Sequence, residues 1–109
     1  MLRIKPGVKV GSLRPETILG IVICERAYAK HGIDMWLTSA VEGNHCAYSD
    51  HYKGIAWDIR NRNIPSAGQR QDILMTMRDS LGEDYLVLDE EDHFHVSYRP
   101  VGFNSQKGK

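Results

Sequence analysis

Three histidines and an aspartate are spaced so that they could share one divalent ion. His51 precedes Asp58 by seven residues, and His93 and His95 flank Phe94 near the end of the chain. Two imidazoles and a carboxylate make a metal site with one position left open. Catalytic zinc sites typically have three protein ligands plus water, and the bound metal lowers the pKa of that water to about 7. A nearby carboxylate then takes the proton and later delivers it to a leaving group. Two histidines and one carboxylate also describe the facial triad of non-haem iron oxygenases, so the donor types alone leave the metal open.

The elements that must position these groups can be read from local patterns. Residues 15–30 read as a helix, with Pro15 in the first turn and Glu16 at the positive end of the dipole. Ile18, Leu19, Ile21, Val22, Cys24 and Ala29 give it a broad apolar face, and Gly32 stops it. Residues 33–39 alternate as a strand, with Met35 and Leu37 set against Asp34, Trp36 and Thr38. Residues 40–53 form a polar loop carrying Glu42, Asn44, His45, Cys46, Ser49 and His51, and a long structureless loop in a small domain is usually functional or disordered. Residues 54–59 read as the next strand, in which Ile55, Trp57 and Ile59 face one way and Gly54, Ala56 and Asp58 the other. The small side chains on that second face leave room for a ligand above the sheet.

Ser66 is the expected N-cap of a second helix that runs to about residue 80 and ends at Gly82. Its apolar stripe is Ile73, Leu74, Met77 and Leu81. Two more strands follow, residues 85–89 and 93–98, joined tightly through the acidic run Asp89, Glu90, Glu91 and Asp92. In the last strand Phe94, Val96 and Tyr98 share one face, and His93, His95 and Ser97 share the other. The predicted fold is α+β: a small antiparallel sheet of about four strands, two helices packed on one face, and the metal site on the other. Residues 1–103 read as one domain and 104–109 as a polar tail that frays.

Composition narrows the function classes. The 109 residues are 41% hydrophobic and 26% charged, and 14 Lys and Arg balance 14 Asp and Glu. Zero net charge lacks the basic excess that binding to a phosphate backbone needs, so no nucleic-acid partner is expected. No apolar run approaches the roughly 20 residues that span a bilayer, so no membrane role is expected. The N-terminus has no apolar signal region, which predicts a protein made in the cytoplasm without a secretory signal. Cys24 and Cys46 sit in dissimilar surroundings and read as reduced thiols rather than as a disulfide.

The run Ser49-Asp50-His51-Tyr52-Lys53-Gly54-Ile55-Ala56-Trp57-Asp58 fits the pattern S-x-H-x-x-G-x-A-x-D, and Asp92-His93-Phe94-His95 follows at a matching distance. Together they resemble the zinc D-alanyl-D-alanine peptidases, a family that includes the vancomycin-resistance dipeptidases and phage L-alanyl-D-glutamate endolysins. The hedgehog signalling domain has the same metal site. Asp50-His51-Tyr52-Lys53-Gly54 and His93-Phe94-His95-Val96-Ser97 look most like the hedgehog version. The resemblance spans residues ~33 to 100 and, more loosely, the first helix.

Carried over residue by residue, the resemblance implies Zn2+ held by His51, Asp58 and His95, with Ser49 supporting the ligand loop. It implies Asp92 as the general base, Asp89 being the runner-up, and His93 beside the metal, where it would polarise the substrate or stabilise the oxyanion. The implied activity is hydrolysis of a bond in the peptidoglycan stem peptide, either L-alanyl-D-glutamate or D-alanyl-D-alanine, by a monomer that acts on the cell wall as a phage lysis enzyme does. The hedgehog version implies the alternative, a zinc-bearing binding module without catalysis. In one respect the chain departs from the family. Many of its peptidases carry a substrate-holding Arg after the first strand, whereas the corresponding run here is Ser39-Ala40-Val41-Glu42. Arg60 or Arg62 would then supply the cation, and Glu42 would offer a carboxylate to a cationic substrate group or to calcium.

Overall fold

The structure, a computed structural model, describes residues 1–40 and 55–100. The described elements run β1 (Leu2–Ile4), α1 (Pro15–Ala29), β2 (Met35–Ser39), β3 (Ala56–Arg60), α2 (Ala67–Leu81), β4 (Tyr85–Asp89) and β5 (His93–Tyr98). Among the described residues the strands form one sheet in the order β1-β2-β3-β5-β4. The α+β reading holds, with a difference at one edge. A fifth strand, β1, joins the expected four and pairs parallel with β2, while the other three pairings are antiparallel. All three residues of β1 are exposed. Its alternation, Leu2-Arg3-Ile4, is too short to mark a strand and its side chains stay at the surface, so backbone pairing and the Arg3–Asp34 ion pair hold it in place.

Both helices end as their residues dictate. Pro15 opens α1, and Gly32 turns the chain after it with φ +69°. Ser66 caps α2 by accepting a hydrogen bond from the Gln69 backbone N–H at 3.2 Å, which satisfies one of the orphan donors of the first turn. Gly82 closes α2 at φ +81°, a backbone angle that side chains disfavour.

The core lies between the helices and one face of the sheet. Ile73, Leu74, Met77 and Leu81 of α2 are buried, as the stripe predicts. The buried face of α1 differs from the expected one: it consists of Thr17, Gly20, Ile21, Cys24, Ala27 and Tyr28. Ile18, Leu19 and Val22 are half-exposed, and Ala29 is exposed as well. The first turns of α1 are apolar nearly all round, so periodicity could not tell which side meets the sheet. The sheet contributes Met35, Leu37, Trp57, Ile59, Val87, Phe94 and Val96, the inward members of each alternation. Tyr28 packs edge-on against Phe94 at 6.5 Å and donates its hydroxyl hydrogen to the Arg60 carbonyl at 2.7 Å, so α1 grips the end of β3. The Arg78 guanidinium likewise donates to the Val87 carbonyl at 2.8 Å, tying α2 to β4. None of the described helices is long and apolar enough to cross a membrane.

Candidate metal centre

The opposite face of the sheet carries the candidate residues Asp58, His93 and His95. β3 and β5 run antiparallel in the middle of the sheet, and their register sets Asp58 opposite His95 and Arg60 opposite His93. Residues opposed in an antiparallel pair point to the same side, so this pairing alone gathers one carboxylate and two imidazoles. His95 Nδ1 lies 2.8 Å from Asp58 Oδ1, and His93 Nε2 lies 3.9 Å from the same oxygen. The Asp58 side chain is only 17% exposed, so a carboxylate sits under two imidazoles with little water to stabilise its charge. A shielded carboxylate of this kind is stabilised by a cation beside it.

Asp92 lies at the rim of the same group. Its Oδ1 accepts from His93 Nδ1 at 2.8 Å, which directs Nε2 of that ring toward Asp58. This hydrogen bond, helped by the charge on Arg62, holds the Asp92 carboxyl below the usual carboxylate range. The side chain is 63% exposed, so an ionised Asp92 can exchange protons with solvent. Buried Asn61 fixes the turn that carries it. The Asn61 backbone N–H donates to the Asp92 carbonyl at 3.4 Å, and its side-chain amide donates to the Glu90 carbonyl at 3.3 Å. The Glu90 N–H closes the turn onto the His93 carbonyl at 3.0 Å, in line with the tight connection expected there.

Asp89, the runner-up base, stands elsewhere. It shares the inward side of β4 with Val87 and forms an ion pair with Arg70 of α2. Asn61 also donates to it, at 3.4 Å. Its charge is engaged in holding α2 to the β4–β5 turn, on the far side of the sheet from the imidazoles.

A cleft of about 340 Å³ opens beside Asp58, His93 and Asp92. Arg60 lines it, as expected of a residue that follows Asp58 on the same face. Thr38 and Ser39 line it too, because the β2–β3 register shifts between Leu37 and Ser39. The extra residue brings both hydroxyls alongside Asp58, and Thr38 donates to the Asp58 carbonyl at 3.4 Å. Sequence reasoning did not assign Thr38, Ser39 or Asn61 to the site. Thr38 had a usable signal, since its place in the alternation put it opposite the core residues. Asn61 had none before its burial was known.

His51, Ser49 and Glu42 lie outside the described residues, and so does Cys46. Among the described residues no group of three or more His, Cys, Asp and Glu is placed to hold a metal ion. The described part supplies two adjacent donors, Asp58 and His95, and their chemistry suits zinc, which takes imidazole nitrogen and carboxylate oxygen readily. Cys24 is remote from this face and fully buried, and burial pushes its thiol well above the usual range, so it is not a reactive group. Comparison of the chain with protein-family models, with curated proteins and with solved structures gave no match.

Proposed function

We propose that the chain is a zinc-dependent peptidase that hydrolyses a peptide bond of the peptidoglycan stem peptide, either L-alanyl-D-glutamate or D-alanyl-D-alanine. The observation that carries the reading is the position of the Asp58 carboxylate, 2.8 Å from His95 and 3.9 Å from His93, on a sheet face that opens into a cleft. Asp58 and His95 hold the metal, and His51 completes the set from the segment that the sequence motif supplies. When bound, zinc provides a Lewis acid and lowers the pKa of water within its reach.

The chain's own residues do the rest. Ionised Asp92 at the rim accepts the proton that water loses on attacking the scissile carbonyl, and returns it to the departing amine. His93, oriented by Asp92, turns Nε2 toward the cleft; because Nδ1–H is given to Asp92, Nε2 donates to the carbonyl oxygen only when the ring carries both protons. Thr38 and Ser39 offer hydroxyls along the wall of the cleft, where an extended peptide needs partners for its backbone groups.

Digestion of purified cell walls tests this. The zinc-loaded chain is expected to release new amino termini, chelation is expected to stop the release, and mass spectrometry of the fragments names the bond. Asp92→Ala should lose turnover while keeping its zinc, whereas a non-catalytic module would lose nothing measurable. A chain with full zinc occupancy that cuts neither walls nor stem peptides removes the reading.

A further inference from the structure

The outward side of β4 breaks the pattern of the strands beside it. Outward positions on β3 and β5 hold small, polar or charged residues: Ala56, Asp58 and Arg60, then His93, His95 and Ser97. On β4 the inward Val87 is buried, yet the outward residues are Leu86 and Leu88, each 40% exposed. Edge strands of soluble proteins usually blunt such positions with charge, because an exposed apolar edge invites association. The β4–β5 register sets Leu88 opposite His95 and Leu86 opposite Ser97, so both leucines stand on the face of the candidate metal centre. Two residues' rise separates them by about 7 Å along the strand.

Pairing with a further strand does not account for these leucines. In the β4–β5 hairpin the Glu90 N–H donates to the His93 carbonyl and the Arg99 N–H to the Asp84 carbonyl, so the backbone groups of Tyr85, Val87 and Asp89 turn outward. The Val87 carbonyl already takes the Arg78 guanidinium at 2.8 Å, and the Tyr85 N–H donates to the Gly82 carbonyl at 3.4 Å. With these groups engaged, β4 is a poor template for another chain. What it offers is two side chains, on the side of His95 away from the polar cleft. Past Leu86 a hollow of about 170 Å³ is lined by Leu86 and Tyr85 together with Glu83 and Arg99. The apolar surface therefore ends in charge, which suits a short apolar group rather than a long one.

We propose that Leu88 and Leu86 form an apolar shelf for the acyl side of the peptide substrate, the part that keeps the carbonyl carbon when the bond breaks; this rests on the peptidase reading of the same face. The direction follows from Asp92. It returns a proton to the departing amine, so the amine side lies in the cleft with Asp92 and His93. The chain on the other side of the scissile carbonyl passes over His95 and meets Leu88 first. An apolar side chain gains there by leaving water, whereas a charged one loses hydration against two leucines. In both bonds proposed above the acyl residue is alanine, whose methyl is the group that meets Leu88.

The test uses the zinc-loaded full chain and a series of straight-chain hydroxamates, which bind zinc through oxygen and carry an uncharged tail. Acetohydroxamate, butyrohydroxamate and hexanohydroxamate are titrated by calorimetry. Each added methylene is expected to tighten binding about twofold, against roughly fourfold for complete burial, because a shelf covers one side of the tail. Leu88→Thr is expected to remove most of the gain from acetohydroxamate to butyrohydroxamate, and Leu86→Thr only the further gain of hexanohydroxamate. Threonine suits a strand and both positions are half-exposed, so the fold is kept. Leu19→Gln is the control, since Leu19 is 58% exposed on α1, away from this face.

A flat series in the parent overturns the proposal. So does a rising series that neither threonine variant changes, or one that Leu19→Gln lowers equally. Wall cleavage is measured on the same preparation. Cleavage with a flat series leaves the peptidase standing and removes the shelf, whereas a rising series that depends on Leu88, without cleavage, does the reverse.

Discussion

Gly20→Ala sets two effects of known size against each other. Gly20 lies in the interior of α1, where alanine is normally better by about 0.8–1.0 kcal/mol. Here, however, a Cβ would sit 2.5 Å from Trp57 Cη2, 3.1 Å from Trp57 Cζ2 and 3.0 Å from Tyr85 Cε2. The indole cannot swing aside easily, because Trp57 is fully buried and stacked edge-on against Tyr85 at 6.3 Å. Overpacking of a close-packed core costs about 1–3 kcal/mol, and a rigid ring at this distance belongs in the upper half of that range. The net expectation is a loss of about 1–2 kcal/mol. For a domain of this size that lowers Tm by about 4–10 °C. Gly68→Ala is the control, since a Cβ there meets nothing within 4 Å and the substitution should raise Tm through helix propensity alone. Thermal unfolding followed by circular dichroism checks both variants. If Gly20→Ala gains stability as Gly68→Ala does, the contact between α1 and the indole is not as described.

Two further outcomes follow from charge and burial. Hydrogen bonds from His31 and then Lys30 hold the Asp72 carboxyl below its usual range, so its pairing with these two residues just after α1 stabilises the fold above the ordinary carboxylate pKa and is lost as pH falls through the lowered value. Asp72→Asn should therefore be less stable than the parent at neutral pH, and urea titrations should find the difference shrinking below about pH 4. Cys24 should resist iodoacetamide in the native chain and react only on unfolding, a pattern that peptide mapping at Cys24 can read, because burial leaves almost no thiolate there.

Alternation made the described part of the candidate site legible. Asp58 stood opposite Trp57 and Ile59, and His93 and His95 stood opposite Phe94 and Val96, so both strands named their outward residues before any pairing was known. The strand order β3-β5 then put those residues side by side. The α2 stripe was equally plain, because Ile73, Leu74, Met77 and Leu81 stand among polar neighbours. On α1 the pattern failed where apolar residues occupy adjacent positions, as at Ile18 and Leu19, for no single face stands out.

What stayed hidden depends on contacts between distant segments. The shift between Leu37 and Ser39 depends on how β2 meets β3, and nothing within β2 announces it. Asn61 reads as an ordinary loop residue until the turn between β4 and β5 folds onto it. The exposed strand β1 is the strongest case. Leu2–Ile4 has no buried face to be recognised by, yet pairing with β2 sets Arg3 opposite Trp36 and brings Lys5 to the cleft. A strand that contributes so little burial is held chiefly by backbone hydrogen bonds and by the Arg3–Asp34 pair, both of which local sequence underdetermines. Residues that do chemistry at a sheet face are therefore easiest to read where the strand also serves the core, and hardest to read where it serves the face alone.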